Sequence, residues 1–408
     1  MEDHWDLIVI GGGAAGFFAA ITCAVASGKR VLILEKTAHL LGKVKISGGG
    51  RCNVTHSCFE PKTLTGFYPR GEKSLIGPFH RFGASDTVEW FESRGVTLKT
   101  ESDGRMFPST DSSQTIIDTL TQAAREAGVV IQTSTGVSSI AAGEYFTLTT
   151  NKEEALTADS VLLATGGTRL AAGAKLAQSL GHELMSNVPS LFAFNIEDPR
   201  INDLPGISVP MTEVSVEGMK LKASGPLLIT HHGLSGPGIL KLSAWGAREL
   251  HDRDYRFNIK INWLPEHTLQ SLETTLTDKR QTWGKRRVRG HSPFSEISKR
   301  LWDSLCAHSN IAAETLFSQL NKEQSRQLLT ELSAGKFQVS GKSINKDEFV
   351  TCGGVKLKDV NLKTMESKIQ PRLYFAGEVL DIDGVTGGFN FQNAWTSGYL
   401  AGTAISEQ

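Results

Sequence analysis

Six residues near the start of the chain, Gly11-Gly12-Gly13-Ala14-Ala15-Gly16, have the types and spacing of a phosphate cradle. Gly11 allows a tight turn, Gly13 lets the backbone approach a pyrophosphate, and Gly16 lets a helix pack closely on a sheet. Ala14 and Ala15 begin that helix, whose unpaired N–H groups and positive dipole end face the phosphates. Glu35 follows nineteen residues after Gly16. An acidic residue there accepts hydrogen bonds from a ribose hydroxyl and disfavours a 2′-phosphate. Lys36 and Val137 join this set as candidate contacts. A glycine run alone is a weak signal; with Glu35 it predicts a dinucleotide site, without separating NAD from FAD.

Three further segments favour a flavin. Val161-Leu162-Leu163-Ala164 is an apolar run ending in Thr165-Gly166-Gly167, the kind of strand and small turn that glutathione-reductase-type flavoproteins place near the dinucleotide. Phe375-Ala376-Gly377-Glu378 ends a second strand with a carboxylate suited to a ribityl chain. Asp383, Gly387, Gly388, Asn390, Phe391 and Gln392 follow, and a helix starting near Gly388 aims its N-terminus at the flavin edge where negative charge appears on reduction. The last segment runs from Gly42 to Thr55. Its Lys43, Ser47, Gly48, Gly49, Arg51, Cys52 and Asn53 are candidate contacts. Successive glycines turn backbone amides toward an anion or flat ring, Arg51 offers a fork for phosphate or carboxylate, and Ser47 and Asn53 can bond a flavin edge. On physics alone this segment could equally be a surface loop.

These residues need an α/β frame. Leu7–Ile10 and Arg30–Leu34 are apolar runs suited to parallel strands buried on both faces, with an Ala- and Phe-rich helix between them that Gly28 stops. Helices are predicted over 84–94 and 112–127, and strands at 129–131, 145–150 and 160–164. Beyond Pro189 the pattern changes to short alternating strands at 213–216, 226–229 and 255–261, separated by Pro and Gly. Residues 265–334 are polar and helical, and 336–350 extended. The expected organisation is a discontinuous Rossmann-type domain from 1–188 plus 351–408. A β-rich domain from 189–264 plus 335–350 and a helical subdomain at 265–334 interrupt it.

Lys plus Arg and Asp plus Glu both number 43, which argues against a global field for nucleic acid or membrane. The five scattered cysteines form no C-x-x-C pair and suggest neither a metal site nor a disulfide framework. With an acidic N-terminus lacking the basic region of a signal peptide, they point to a cytoplasmic location. A basic run, Lys279, Arg280, Lys285, Arg286, Arg287, Arg289, Lys299 and Arg300, carries Trp283 within it. A solvated face is its ordinary explanation and RNA binding the other. His231-His232 is read as a packing loop rather than acid–base machinery, and Cys52 as inert.

The run Ser47-Gly48-Gly49-Gly50-Arg51-Cys52-Asn53 resembles the signature of the YhiN-type flavoproteins, a family similar to aminoacetone oxidase and to the bile-acid dehydro-reductase-like flavoproteins. Thr230–Pro237, Cys352-Gly353-Gly354-Val355, Thr364–Lys368 and Gly377–Gln392 extend the match along nearly the whole chain. The resemblance implies an FAD-binding, glutathione-reductase-like Rossmann domain with an inserted β-barrel-like domain and a small helical domain. The expected activity is FAD-dependent hydride transfer between flavin N5 and a small organic substrate, either amine oxidation or reduction of a conjugated C=C. NAD(P)H or O2 is the transient redox partner. The alternative is a flavin-containing RNA-binding or RNA-modifying protein that uses residues 279–300.

Overall fold

The computed structural model describes residues 4–167, 172–343 and 350–408. The chain forms two compact units, Met1–Val188 with Val350–Gln408, and Pro189–Phe349.

The first unit is built on five parallel strands: β1 (His4–Ile10), β2 (Val31–Leu34), β3 (Val130–Gln132), β4 (Ala155–Leu163) and β5 (Leu373–Phe375). Their order is β3-β2-β1-β4-β5, the doubly wound order whose ligand crevice lies beyond the strands' carboxyl ends. Leu7–Ile10 and Val31–Leu34 are almost wholly buried, as continuous apolar runs in a covered parallel sheet should be. Ile10 pairs with both Leu34 and Leu163, and Leu163 with Phe375. Four strands therefore end level, and Gly11, Glu35, Ala164 and Ala376 emerge along one edge. This register brings residues hundreds of positions apart to one place.

Helix α1 (Ala14–Ser27) follows β1 and stops at Gly28, a left-handed cap whose N–H donates to Ala24 O. The long C-terminal helix, Phe389–Ser406, lies against it backbone to backbone. A methyl group on Gly398 would sit 2.6 Å from Ala15 O, and one on Gly402 2.5 Å from Ala19 O. No bulkier residue permits this approach, which fixes the end of the chain beside the start of α1.

In the second unit, antiparallel strands Ser208–Val216, Lys222–Thr230, Gly233–Ser235, Phe194–Asn195 and Phe257–Asn262 belong to one seven-stranded sheet. Its two ends are consecutive stretches of one segment. Gly335–Val339 pairs with Phe257–Asn262, and Gly341–Lys342 pairs with Phe194–Asn195. The sheet thus closes on itself as a barrel, which removes free edges. Helices Leu269–Thr282, Lys299–His308 and Lys322–Ala334 share a core with the barrel through Trp263, Trp302, Leu332 and Phe337. Helix Pro237–Trp245 lies inside the segment expected to be β-rich. The extended stretch expected at 336–350 is seen to Lys342; residues 344–349 lie outside the described residues.

Candidate cofactor site

The glycine run after β1 divides its work among three positions. Gly11 has φ +117°, and a Cβ there would lie 2.3 Å from Ala164 O. It is thus needed both for the turn and for contact with the strand end beside it. A Cβ on Gly16 would lie 2.1 Å from Gly11 O, so this glycine closes the loop on its own helix. Gly13 is different: its Cβ would meet nothing within 4 Å. It is the N-cap of α1 and supplies no side-chain cap, so the first-turn amides of Ala14, Ala15 and Gly16 face outward as an anion site requires.

Glu35 sits at the end of β2 and grips this loop. Its Oε2 accepts from Gly12 N at 2.9 Å, and its Oε1 from Thr37 N and Thr37 Oγ1, both at 2.9 Å. The carboxylate is thereby fixed against the glycine loop at the end of β2. Lys36 is exposed, and a Cβ on Gly136 would lie 3.3 Å from Lys36 Cβ, so Lys36 and the Gly136–Val137 turn adjoin.

At the other end of the loop, Gly377 has φ +76°, and a Cβ there would lie 3.0 Å from Ala15 Cβ. Glu378 is thus delivered to the start of α1. One of its oxygens pairs with Lys43, while Oε1 is buried without a hydrogen-bond partner among the described residues. Thr165 Oγ1, just beyond β4, is likewise buried and without a partner among them. Two buried polar atoms awaiting hydrogen bonds beside an open glycine cradle are what a bound cofactor with hydroxyls and phosphates would satisfy.

The segment from Gly42 is helical at first. In α2 (Gly42–Gly50), helical geometry breaks at Ser47 (ψ 150°), and Gly48, Gly49 and Gly50 take φ of 56°, 70° and 86°. Gly49 and Gly50 would meet nothing with an added Cβ, leaving an open left-handed backbone arc. The side chains around it are engaged within the protein. Ser47 Oγ donates to Val44 O at 3.0 Å. Arg51, read as a fork for a ligand anion, pairs with Glu101 at 2.6 Å and lies 4.0 Å over the Phe107 ring. Cys52 is fully buried, and burial pushes its thiol up to about 12, the opposite of a reactive thiolate. With its amide turned so that both ends are satisfied, Asn53 donates to Thr55 O at 2.9 Å and accepts from Gly388 N at 2.9 Å.

The C-terminal motif follows the same rule. Helix α3 (Phe389–Ser406) starts after Gly388, whose φ is 90° and whose Cβ would lie 2.6 Å from Thr55 O. Asn390 holds Gly384 by both amide ends, at 2.9 Å each. Gln392 is fully buried and accepts from Thr55 Oγ1 at 2.6 Å and Thr87 Oγ1 at 3.0 Å. Asp383 is fully buried against Arg70, which binds it through two nitrogens. Phe391 stacks on Trp395, with ring centroids 5.7 Å apart. Asn390 and Gln392, expected among the cofactor contacts, direct these side-chain groups to the loop and the threonines around it. What the motif leaves available is the first turn of α3, which has neither a side-chain cap nor an acidic residue.

Sequence reasoning missed Arg70, Tyr68, Thr55 and Thr87. Tyr68 OH donates to Phe389 O at 2.6 Å, holding the start of α3. Of the four only Thr55 lies in a glycine segment, at the end of Gly42–Thr55, and only the fold reveals their partners. His231 and His232 form an exposed turn between two barrel strands, with His232 O accepting from Ile196 N at 2.9 Å.

The doubly wound sheet is that of an FAD-binding Rossmann-type domain, the fold of an FAD-dependent oxidoreductase, and the open Gly13 cradle with the Thr165 and Glu378 oxygens, unpartnered among the described residues, forms its candidate cofactor site. The chain belongs to the family described as HI0933-like protein Rossmann domain, whose model matches residues 5–404. It is 31% identical over 408 residues to the ribosomal RNA dihydrouridine synthase of Escherichia coli (strain K12), covering 97% of each chain. It is 28% identical over 413 residues to the 3-dehydro-bile acid delta(4,6)-reductase of Clostridium scindens, covering 98% of each. The fold is similar to that of 3-ketosteroid delta1-dehydrogenase from Sterolibacterium denitrificans, with TM-score 0.53, 14% identity, and coverage of 99% of this chain and 100% of that one. Among the described residues no helix is long and apolar enough to cross a membrane.

Proposed function

We propose that this protein reduces a carbon–carbon double bond conjugated to a carbonyl, the bond being carried by a small organic molecule. The observation behind this reading is the pair of full-length relatives. One is named for a delta(4,6)-reduction and the other for making dihydrouridine, which is uridine with one ring double bond saturated. Both names describe adding hydrogen across such a bond, which favours reduction over amine oxidation.

Bound FAD supplies hydride transfer at N5. The chain's own groups divide the rest. Gly13 and the first turn of α1 hold the pyrophosphate, and Glu35 the adenosine ribose. Glu378 Oε1 would accept from the hydroxyl-bearing chain, and Thr165 Oγ1 would donate to it or accept from it. The first turn of α3 stabilises negative charge at the ring edge. The single G-x-G-x-x-G is committed to FAD, so NAD(P)H acts as a transient reductant, with O2 a competing acceptor. The five cysteines, all free thiols, support a cytoplasmic location.

A second reading places the same double bond in a uracil ring of RNA. The E. coli relative and the exposed cations of 279–300 favour it. The test is anaerobic: protein carrying reduced flavin is mixed with cyclic enones, dienones or RNA. Stoichiometric flavin reoxidation with a product two hydrogens heavier is the expected outcome for the true substrate class. Reduction of oxidised flavin by amines, with no reoxidation by any enone or RNA, would overturn both readings.

A further inference from the structure

Residues 279–289 hold Lys279, Arg280, Lys285, Arg286, Arg287 and Arg289 and no carboxylate. Two of these cations are neutralised in place, Lys279 by Asp278 at 3.0 Å and Arg287 by Glu314 at 2.8 Å. Arg280, Lys285, Arg286 and Arg289 have no ion-pair partner among the described residues. Lys279 and Arg280 lie in the last turn of helix Leu269–Thr282, where cations complement the dipole. That accounts for two residues and leaves Lys285, Arg286 and Arg289, which stand beyond the helix.

The loop that carries them is firmly held. Val288 is fully buried, its N–H donates to Thr315 O at 2.9 Å, and its O accepts from Trp302 Nε1 at 2.8 Å. Gly284 O accepts from Ser318 N at 3.1 Å, and Arg286 O from Phe317 N at 3.0 Å. Like charges are thus fixed near one another without internal compensation, an arrangement that costs stability until a polyanion neutralises it. Trp283 stands among them, edge-on to Phe317 at 5.7 Å, with Lys279 and Arg286 over its ring at 4.8 and 5.1 Å. A half-exposed aromatic ring flanked by cations is a stacking platform for a nucleobase. A lipid surface would call for apolar side chains turned outward, and none of the exposed large hydrophobic residues falls within 279–300.

We infer that this loop is a docking surface for single-stranded RNA, with phosphates on Arg280, Lys285 and Arg289 and a base against Trp283. The inference rests on the RNA reading above and names the surface that would serve it. The test compares the FAD-loaded full chain with its R280Q/K285Q/R289Q variant, using a fluorescently labelled, uridine-rich single-stranded RNA and anisotropy across a salt series. The variant should bind at least about tenfold more weakly. Its log-affinity slope against log salt should be shallower by about 2, since each lost single-strand phosphate contact removes about 0.7. Its FAD content should match the parent and its melting temperature should be equal or higher, because these side chains make no ion pairs among the described residues and their removal relieves like-charge repulsion. Equal RNA binding by variant and parent would overturn the inference. So would parental binding to phosphatidylglycerol vesicles that is as tight as to RNA and equally lost in the variant. Dihydrouridine in the recovered RNA, measured by mass spectrometry, separates the two ideas. Equal formation by parent and variant removes the docking loop and keeps the RNA reading. Loop-dependent RNA binding without dihydrouridine keeps the loop and removes RNA as the substrate.

Discussion

Two glycine-rich segments contribute to one site, and they contribute differently. The run Gly11–Gly16 leaves its backbone open at Gly13, supported by Glu35 from behind. The run Gly384–Gln392 is equally polar, yet Asn390 and Gln392 spend their hydrogen bonds on Gly384, Thr55, Thr87 and Thr396. A polar side chain in a ligand-binding motif is therefore no sign of a ligand contact. In the second segment the side chains hold the backbone in place.

The sharpest way to break this comparison is at the glycines. Gly13→Val should abolish FAD retention while leaving the apoprotein folded, because its side chain enters space that only the cofactor uses. Gly16→Val should instead destroy the fold of the loop, since its Cβ would stand 2.1 Å from Gly11 O. Circular dichroism and flavin content of the two variants check the pair. If Gly13→Val bound FAD stoichiometrically, the cradle would lie elsewhere.

Gln392→Leu probes the second segment. It strands the buried Thr55 hydroxyl, while Thr87 keeps Gly83 O as an acceptor, and should lower stability by about 1–3 kcal/mol, with FAD still bound by the folded fraction. A pure affinity loss at unchanged denaturation midpoint would mean Gln392 does touch the flavin. Glu35→Ala should weaken FAD by about 1.5–3 kcal/mol in a titration of apoprotein, through lost charged-acceptor hydrogen bonds. Lys43→Met should have a smaller effect, about two- to fivefold in affinity, because its pair with Glu378 is half exposed on the lysine side.

The smallest effect concerns pH. Burial holds His56 below the ordinary imidazole value, and its ring stacks on Phe389 at the start of α3, with centroids 4.9 Å apart. The folded state therefore binds a proton less readily than the unfolded state. The stability this gives is full above the unfolded value, near 6.5, and is lost as pH falls through the lowered folded one. His56→Gln should flatten that acid limb in urea denaturation. An unchanged limb would assign it to other groups, His182 first among them, which burial lowers in the same sense.

The parts of this architecture legible in the sequence are those where backbone geometry dictates residue type. Positive φ at Gly11 and Gly377, close packing at Gly16, and the buried runs of β1 and β2 leave few alternatives. Helices predicted at 84–94 and 112–127 are seen at Ala84–Glu92 and Ser113–Glu126. Pairings over long separations stayed hidden. Nothing local marks Arg70 as the partner of Asp383, 313 positions away, or assigns Arg51 to Glu101. Strand β4 begins at Ala155, earlier than its apolar run at 160, because its first half pairs in an antiparallel hairpin with Phe146–Thr150 and is only partly covered.

The central claim is that the edge of one sheet holds a complete FAD, with its adenosine half on Gly13 and Glu35 and its flavin half reached from the C-terminal end. Heat release of the chromophore from purified protein, followed by chromatography, tests this most directly. One FAD per chain is the predicted result. FMN as the sole flavin would contradict it, because FMN lacks the pyrophosphate and adenosine that the Gly11–Gly16 cradle and Glu35 are built to hold.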